Sequence, residues 1–499
     1  MFYLRRNKPI IYNALLLTAV NLLLRFVSTS FQVYLSGKIG AEGIGLLQLV
    51  LSVGGLSLTI GMGGIRTATM YLCAEAVGQK RTDSMGWILS GCVRYSLLLS
   101  LTAGALLYGF APQIAEICLG NPDTVTAIRL LACFLPVNCL CGVMIGHFTG
   151  MNRIGILSAV EVAEQLVTVS ATLLLISIWS GNNPGKVCQA VVTGSGIGAC
   201  FTFAVLLLLK SKDQEKRNKK VPIRKKLTRI AIPLALADNI KVGINTTENL
   251  MVPKRLSLYS SESAPLAAFG TVCGMVFPLL MFPAAILFAL SELMIPELAR
   301  CNAAGSNQRI RHLTERSLLL ALIYGAFCSS ILFICADRLC VSLYKTTEAG
   351  KYLKQFALLA PILYCDIIVD AATKGLGQQR ICVHYNIITS ALDVLFLYML
   401  LPKYGMGGYY LSFLITHFIN FILSLRLLYK LTGKVVQIHT AVLCMAAAVF
   451  SIMISTLLEN TLGACCSFII IFAVLLHTLN IVRKTDLLWI KGLITHNSI

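Results

Sequence analysis

Charge is scarce in this chain. Only 13% of its 499 residues are Asp, Glu, Lys or Arg, about half the share usual in a soluble protein. Hydrophobic residues make up 57% and the mean hydropathy is +0.77, which excludes a water-soluble globule and leaves a polytopic membrane protein. Ligand spacing is missing too. Neither the 7 histidines nor the 18 cysteines form a zinc-type set or a secreted disulfide framework, so no metal or other cofactor is expected. The cysteines sit singly in apolar runs, apart from Cys139/Cys141 and Cys465-Cys466, and read as small apolar packing residues. No glycine loop of the phosphate-cradling kind occurs, and no catalytic constellation, so neither an ATPase nor another enzyme is expected. A cleavable leader is not expected either. The apolar run that follows Arg5, Arg6 and Lys8 is too long for one and lacks a small-residue cleavage pattern, so it reads as the first membrane helix.

About fourteen apolar segments are present, over 10–36, 43–68, 84–109, 124–148, 155–179, 187–209, 230–253, 265–290, 313–335, 354–373, 381–401, 408–429, 438–457 and 463–482. Each is long enough to cross a bilayer as a helix. The even-numbered connections hold most of the Lys and Arg, including Arg153, Arg300, Arg309, Arg311, Lys374 and Arg380. That asymmetry places both termini in the cytoplasm. Lys210 to Arg229 carries ten Lys or Arg against Asp213 and Glu215. A basic run of this kind can bind anionic lipid or nucleic acid, but it reads here as a cytoplasmic linker and not as a nucleic-acid site.

The linker separates two sets of six segments that resemble each other. Segment 2 begins Ile39-Gly-Ala-Glu-Gly-Ile-Gly45 and leaves through Ala74-Glu75, while segment 8 begins Ala267-Ala-Phe-Gly270 and leaves through Pro296-Glu297. Segment 4 has Pro136 before Gly150-Met-Asn-Arg153, and segment 10 has Pro361 before Gly377-Gln-Gln-Arg380. Both sets start and end inside, so the repeat is parallel, about a pseudo-two-fold axis along the membrane normal. The expected architecture is all-α: a lobe over 1–209, the linker over 210–229, a lobe over 230–431, and two extra helices with a tail over 432–499.

Polar residues inside these segments are ordered. Thr18, Asn21, Arg25, Ser28 and Gln32 form one helical stripe. An arginine at mid-membrane costs at least ~2.5–3.5 kcal/mol, so the stripe lines a wet interior, or else belongs to a buried ion pair or a polar helix-packing patch. Segment 7 carries Asp238, Lys241, Asn245, Glu248 and Asn249; Lys241 either pairs with Asp238 or lines the same cavity as the repeat counterpart of Arg25. Segment 5 carries Ser158, Glu161, Glu164, Gln165 and Thr168. Segment 10 offers Asp366, Asp370 and Thr373; segment 11, Asn386, Thr389 and Asp393; segment 12, Thr416, His417 and Asn420. Arg66 and Arg94 complete the cationic set, with interfacial snorkelling the other reading of Arg66. Pro233, Pro253, Pro278, Pro283 and Pro296 are places for helices 7 and 8 to bend.

The sequence resembles the stage V sporulation protein B group of polysaccharide transporters, in the multidrug/oligosaccharidyl-lipid/polysaccharide exporter superfamily that also holds the lipid II flippases. The carrying residues are Arg25, the Ile39 to Gln48 block, Gly64-Ile-Arg66, Ala74-Glu75, Gly150-Met-Asn-Arg153, Glu164-Gln165, Ile230-Ala-Ile-Pro233, Phe277-Pro278 and Phe282-Pro283. The resemblance implies two six-helix lobes around a central cavity and alternating access. It implies that Arg25 and Arg66 hold a pyrophosphate, and that residues 438–482 form a groove for a lipid tail. The substrate it implies is an undecaprenyl-pyrophosphate-linked saccharide, such as a peptidoglycan or spore-cortex precursor, moved to the outer leaflet of a bacterial plasma membrane by a monomer surrounded by membrane lipids. Segment 8 lacks the mid-depth arginine of a lipid II flippase, which departs from that substrate in particular. A cation-coupled multidrug exporter of the same superfamily and a non-transporting partner of a cell-wall synthesis complex are the alternatives.

Overall fold

The computed structural model describes residues 8–79, 84–179, 183–211, 224–259, 264–433, 438–458, 460–479 and 481, with side chains from Ala19 onward in the first helix. The start of the chain, most of the basic linker, Lys80, Arg81, Lys434 and the tail lie outside the described residues, as does the Thr18 side chain. No strand occurs among the described residues.

The helices in order are α1 (Lys8–Met62), α2 (Ile65–Gly78), α3 (Met85–Gly109), the single turn α4 (Ala111–Gln113), α5 (Val125–Gly150), α6 (Ile154–Ile178), α7 (Pro184–Ser211), α8 (Arg224–Leu256) and α9 (Pro265–Thr271). They continue with α10 (Phe277–Met281), α11 (Ala285–Ala303), α12 (Asn307–Tyr344), α13 (Glu348–Ala357), α14 (Ala360–Gly375), α15 (Gln379–Tyr404), α16 (Met406–Thr432), α17 (Ile438–Ser455) and α18 (Thr461–Thr478). Among the described residues, 9 helices are long and apolar enough to span a membrane, or up to 11 when two bent pairs count as spans. The break at Gly40 inside α1, the charge-rich α8 and the shorter apolar α17 bring the number of passes to the expected figure of about fourteen.

Segment boundaries shift where the backbone breaks. Segments 1 and 2 are one helix interrupted at Gly40, whose φ of 69° lies in the left-handed region open to glycine. Segment 2 then breaks at Gly63 and Gly64 and resumes as α2, so it reaches Gly78 and not residue 68. Segment 8 is bent by 60° between α10 and α11, and segment 10 by 52° between α13 and α14. Of the prolines expected to bend helices, Pro278 and Pro283 flank the first of these bends. Pro233, Pro253 and Pro296 stay inside continuous helices.

The chain forms two compact units, one of residues 1–274 with 394–405 and the other of 275–393 with 406–499. This division differs from a boundary at the basic linker, because α8 and α9 pack on α1 in the first unit. There Gly270 lies against the backbone of α1. A Cβ at 270 would sit 2.0 Å from the Ala41 carbonyl oxygen, and one at Gly45 would sit 2.3 Å from the Leu266 oxygen. The two glycine blocks that mark the repeat are therefore each other's packing partners, by the small-residue contact that lets membrane helices approach closely. The start of α8 joins the core of α2, α3 and α5 through Leu227 and Ala231. Beside that core, Lys226 pairs with Glu75 at 2.6 Å. The last turns of α15 join this unit too, with Arg255 over the Tyr398 ring, 3.2 Å from its centroid.

In the second unit, α11 and α12 pack on α14. Three tyrosines serve the carbonyls around the α10–α11 bend. Tyr344 donates to Met275 at 3.2 Å, Tyr364 to Leu280 at 2.7 Å and Tyr324 to Pro283 at 2.9 Å. Irregular backbone at membrane depth needs such partners, because lipid supplies none. Glu297, the repeat counterpart of Glu75, accepts from Arg309 at 3.0 Å and Arg300 at 3.3 Å.

Candidate functional site

The α1 stripe is only partly covered. Asn21 and Ser28 are exposed, and Arg25 and Gln32 are half-buried. Its partner is α6. The Gln165 amide donates to the Ser28 hydroxyl at 3.3 Å. One turn away along α6, Glu161 lies within the field of Arg66. Arg66 is the second residue of α2, directly after the Gly63-Gly64 break, and is exposed. Glu164 lies beside Glu161 on the same helix. Arg25, Ser28, Gln165, Glu161 and Arg66 thus belong to one wall of the first unit. Gln32 closes its end, donating to the Gly274 carbonyl at 3.2 Å.

Lys241 and Asn245 are also exposed, on α8 of the same unit. One turn on, α8 is anchored to α1. Thr246 donates to the Ser52 carbonyl at 3.2 Å, and Asn249 to the Ser52 hydroxyl at 2.9 Å. Ser52 belongs to no polar stripe of the sequence; only the close approach of α8 gives it a role. Arg94 stands apart from the wall. It is exposed on the face of α3 opposite Ile88, Cys92, Ser96 and Ser100, and its Nε turns back to the Ser90 carbonyl at 3.3 Å. That posture is snorkelling toward the helix start.

The carboxylates of segments 10 and 11 form a second cluster, in the second unit. Asn420 of α16 donates to Asp366 of α14 at 3.0 Å and accepts from Thr389 of α15 at 3.4 Å. Asp393 accepts from Ser412 at 2.5 Å and Thr416 at 3.2 Å. Asp370 pairs with Lys374 at 2.5 Å along α14. The Asp366 Oδ1 atom is buried with no hydrogen-bond partner. Three separate polar stripes thereby converge, since a polar side chain in lipid is stable only against another polar side chain. Among the described residues no group of three His, Cys, Asp or Glu is arranged to hold a metal ion.

The second unit also carries an apolar hollow of about 310 Å³. It is lined by Leu318 and Leu322 of α12, Pro361 of α14, Leu425 of α16, and Val442 and Met445 of α17. A second apolar hollow, shallow and open, continues along α17 to Met453. Residues 438–482 were expected to form such a groove. The structure gives the lining to α17 and to helices that precede it, and none of the residues lining these hollows lies on α18.

An all-helical chain with this many helices long and apolar enough to cross a membrane is a polytopic membrane protein. Residues 10–251 match the family described as "Polysaccharide biosynthesis protein", and residues 244–399 match the MatE family. The Stage V sporulation protein B of Bacillus subtilis is 21% identical over 79% of this chain and 78% of its own. The fold matches that of the lipid II flippase MurJ in an inward closed conformation, with a TM-score of 0.71 at 14% identity over 93% of this chain and 99% of that one. It also matches an inward-facing multidrug resistance MATE family transporter, with a TM-score of 0.66 at 11% identity over 83% of this chain and 98% of that one. The two family matches together span residues 10–399, and the chain is similar to transporters of the multidrug/oligosaccharidyl-lipid/polysaccharide exporter superfamily.

Proposed function

We propose that the chain is a flippase that moves an undecaprenyl-pyrophosphate-linked saccharide, a peptidoglycan or spore-cortex precursor, from the inner to the outer leaflet. The observation that carries this reading is the α1 stripe: an arginine on the same face as Asn21, Ser28 and Gln32, bordered by Gln165. Arg25 suits a phosphate by charge and by its bidentate fork, and the amides and hydroxyls around it suit a saccharide. The apolar hollows along α17 suit an isoprenoid tail, which asks only for hydrocarbon. The names of the matched relatives, a sporulation protein and a lipid II flippase, fit the same substrate class. In this reading both termini and the 210–229 linker face the cytoplasm of a bacterial cell, the six-helix lobes 1–209 and 230–431 alternate, and the monomer is the working unit. Native mass spectrometry of lipids that co-purify with the protein tests it. A bound polyprenyl-pyrophosphate glycan is the expected result, and its absence from preparations that retain other lipids refutes the proposal.

One observation favours a second reading, a cation-coupled exporter. The unpartnered Asp366 oxygen beside Asn420 has the chemistry to take a proton or a small cation. Under that reading an Asp366→Asn variant loses transport of organic cations and the lipid-linked saccharide never appears in the mass spectrum.

A further inference from the structure

None of the eighteen cysteines is in a disulfide, and eleven of them are buried within the helix packing. One pair differs from the rest. The Sγ atoms of Cys335 on α12 and Cys465 on α18 lie 3.2 Å apart, one thiol donating to the other, and both residues are only partly buried. The contact belongs to a packed seam between the two helices. Phe468, fully buried one turn along α18, lies against Phe327 of α12 with ring centroids 6.0 Å apart. Cys466 is exposed and points about 100° further round the helix, away from that seam.

We infer that Cys335 and Cys465 form a redox-modification site, a disulfide that joins the C-terminal helix pair to α12. Bonded sulfurs stand about 2.05 Å apart, so the two atoms close the gap by about 1 Å, within the reach of small side-chain rotations. Cys335 lies toward the Tyr344 end of α12 and Cys465 in the first turns of α18, far along α12 from Arg309 and Arg311. On the topology proposed above this end faces the outside, where disulfides persist. The oxidant is a disulfide-bearing exchange partner. One cysteine thiolate attacks a sulfur of that disulfide and releases one thiol. The other thiolate then attacks the cysteine sulfur of the mixed disulfide, releases the second thiol and leaves the Cys335–Cys465 bond. The two cysteine protons end on the two thiols of the spent oxidant. The bond ties α18, and through it α17, to the helix that supplies Leu318 and Leu322 to the apolar hollow, so oxidation sets how freely that wall moves.

The test uses the purified full-length protein treated with oxidised glutathione, followed by alkylation, digestion and mass spectrometry without reduction. The expected result is a dominant linked peptide containing 335 and 465 that dithiothreitol removes, absent from Cys335→Ser and Cys465→Ser. The thermal midpoint rises on oxidation of the unsubstituted protein and stays put in either variant. No 335–465 link in protein whose Cys466 is fully labelled by a maleimide overturns the inference. So does a link that joins Cys335 to Cys466 instead.

Discussion

Replacing Gly270 with alanine tests the contact that joins the two repeat blocks. The added Cβ would stand 2.0 Å from the Ala41 oxygen, 2.5 Å from the Gly45 nitrogen and 2.9 Å from the Gly45 Cα, where ordinary contact begins at 3.4 Å. All three are backbone atoms of α1, so none can rotate away, and α9 must retreat by about 1.4 Å. Overpacking of this kind costs about 1–3 kcal/mol. With three rigid atoms in the way the upper figure applies, roughly a hundred-fold in the folded-to-unfolded ratio. Gly243→Ala is the control, because nothing lies within 4 Å of a Cβ there; alanine in a helix interior is then neutral or favourable by up to ~1 kcal/mol. Membrane abundance and the thermal midpoint of detergent-purified protein read the difference. Gly270→Ala as abundant and as heat-resistant as Gly243→Ala would refute the backbone-to-backbone packing of α1 on α9.

Arg25→Ala is expected to abolish transport with insertion intact, while Arg25→Lys keeps partial activity because the charge survives and the bidentate fork does not. If Arg25 serves a buried ion pair instead, the alanine variant loses ~3–5 kcal/mol and folds poorly until its partner carboxylate is also removed; full transport at normal abundance ends the phosphate-clamp idea. Reporter fusions at residue 215 and at the C-terminus should both read cytoplasmic, and an external signal at either one sinks the topology. Tyr364→Phe leaves the Leu280 carbonyl without its 2.7 Å donor and should lower stability by about 1–3 kcal/mol, read as a lower thermal midpoint; an unchanged midpoint means that the α10–α11 bend does not depend on it. Met445→Trp, which fills the apolar hollow beside Val442, should cut co-purified polyprenyl lipid several-fold at unchanged abundance. Undiminished lipid would place the tail elsewhere.

Much of this protein is legible in the sequence because the bilayer leaves few options. A run of twenty apolar residues has to be a helix, and a polar residue within it has to find a polar partner. The α1 stripe and the Asp366, Thr389, Asn420, Asp393 and Thr416 set were readable for that reason, from helical periodicity alone. Periodicity gives a face, however, and not the neighbour opposite that face. Tertiary structure decided that Ser28 meets Gln165, that Ser52 anchors α8, and that Arg94 turns back along its own helix. It likewise decided that the two glycine blocks, visible as repeat markers, touch each other, and that two cysteines 130 residues apart share a contact. Such contacts depend on how closely helices approach, which rests on side-chain volumes from several segments at once, and no single segment carries that information.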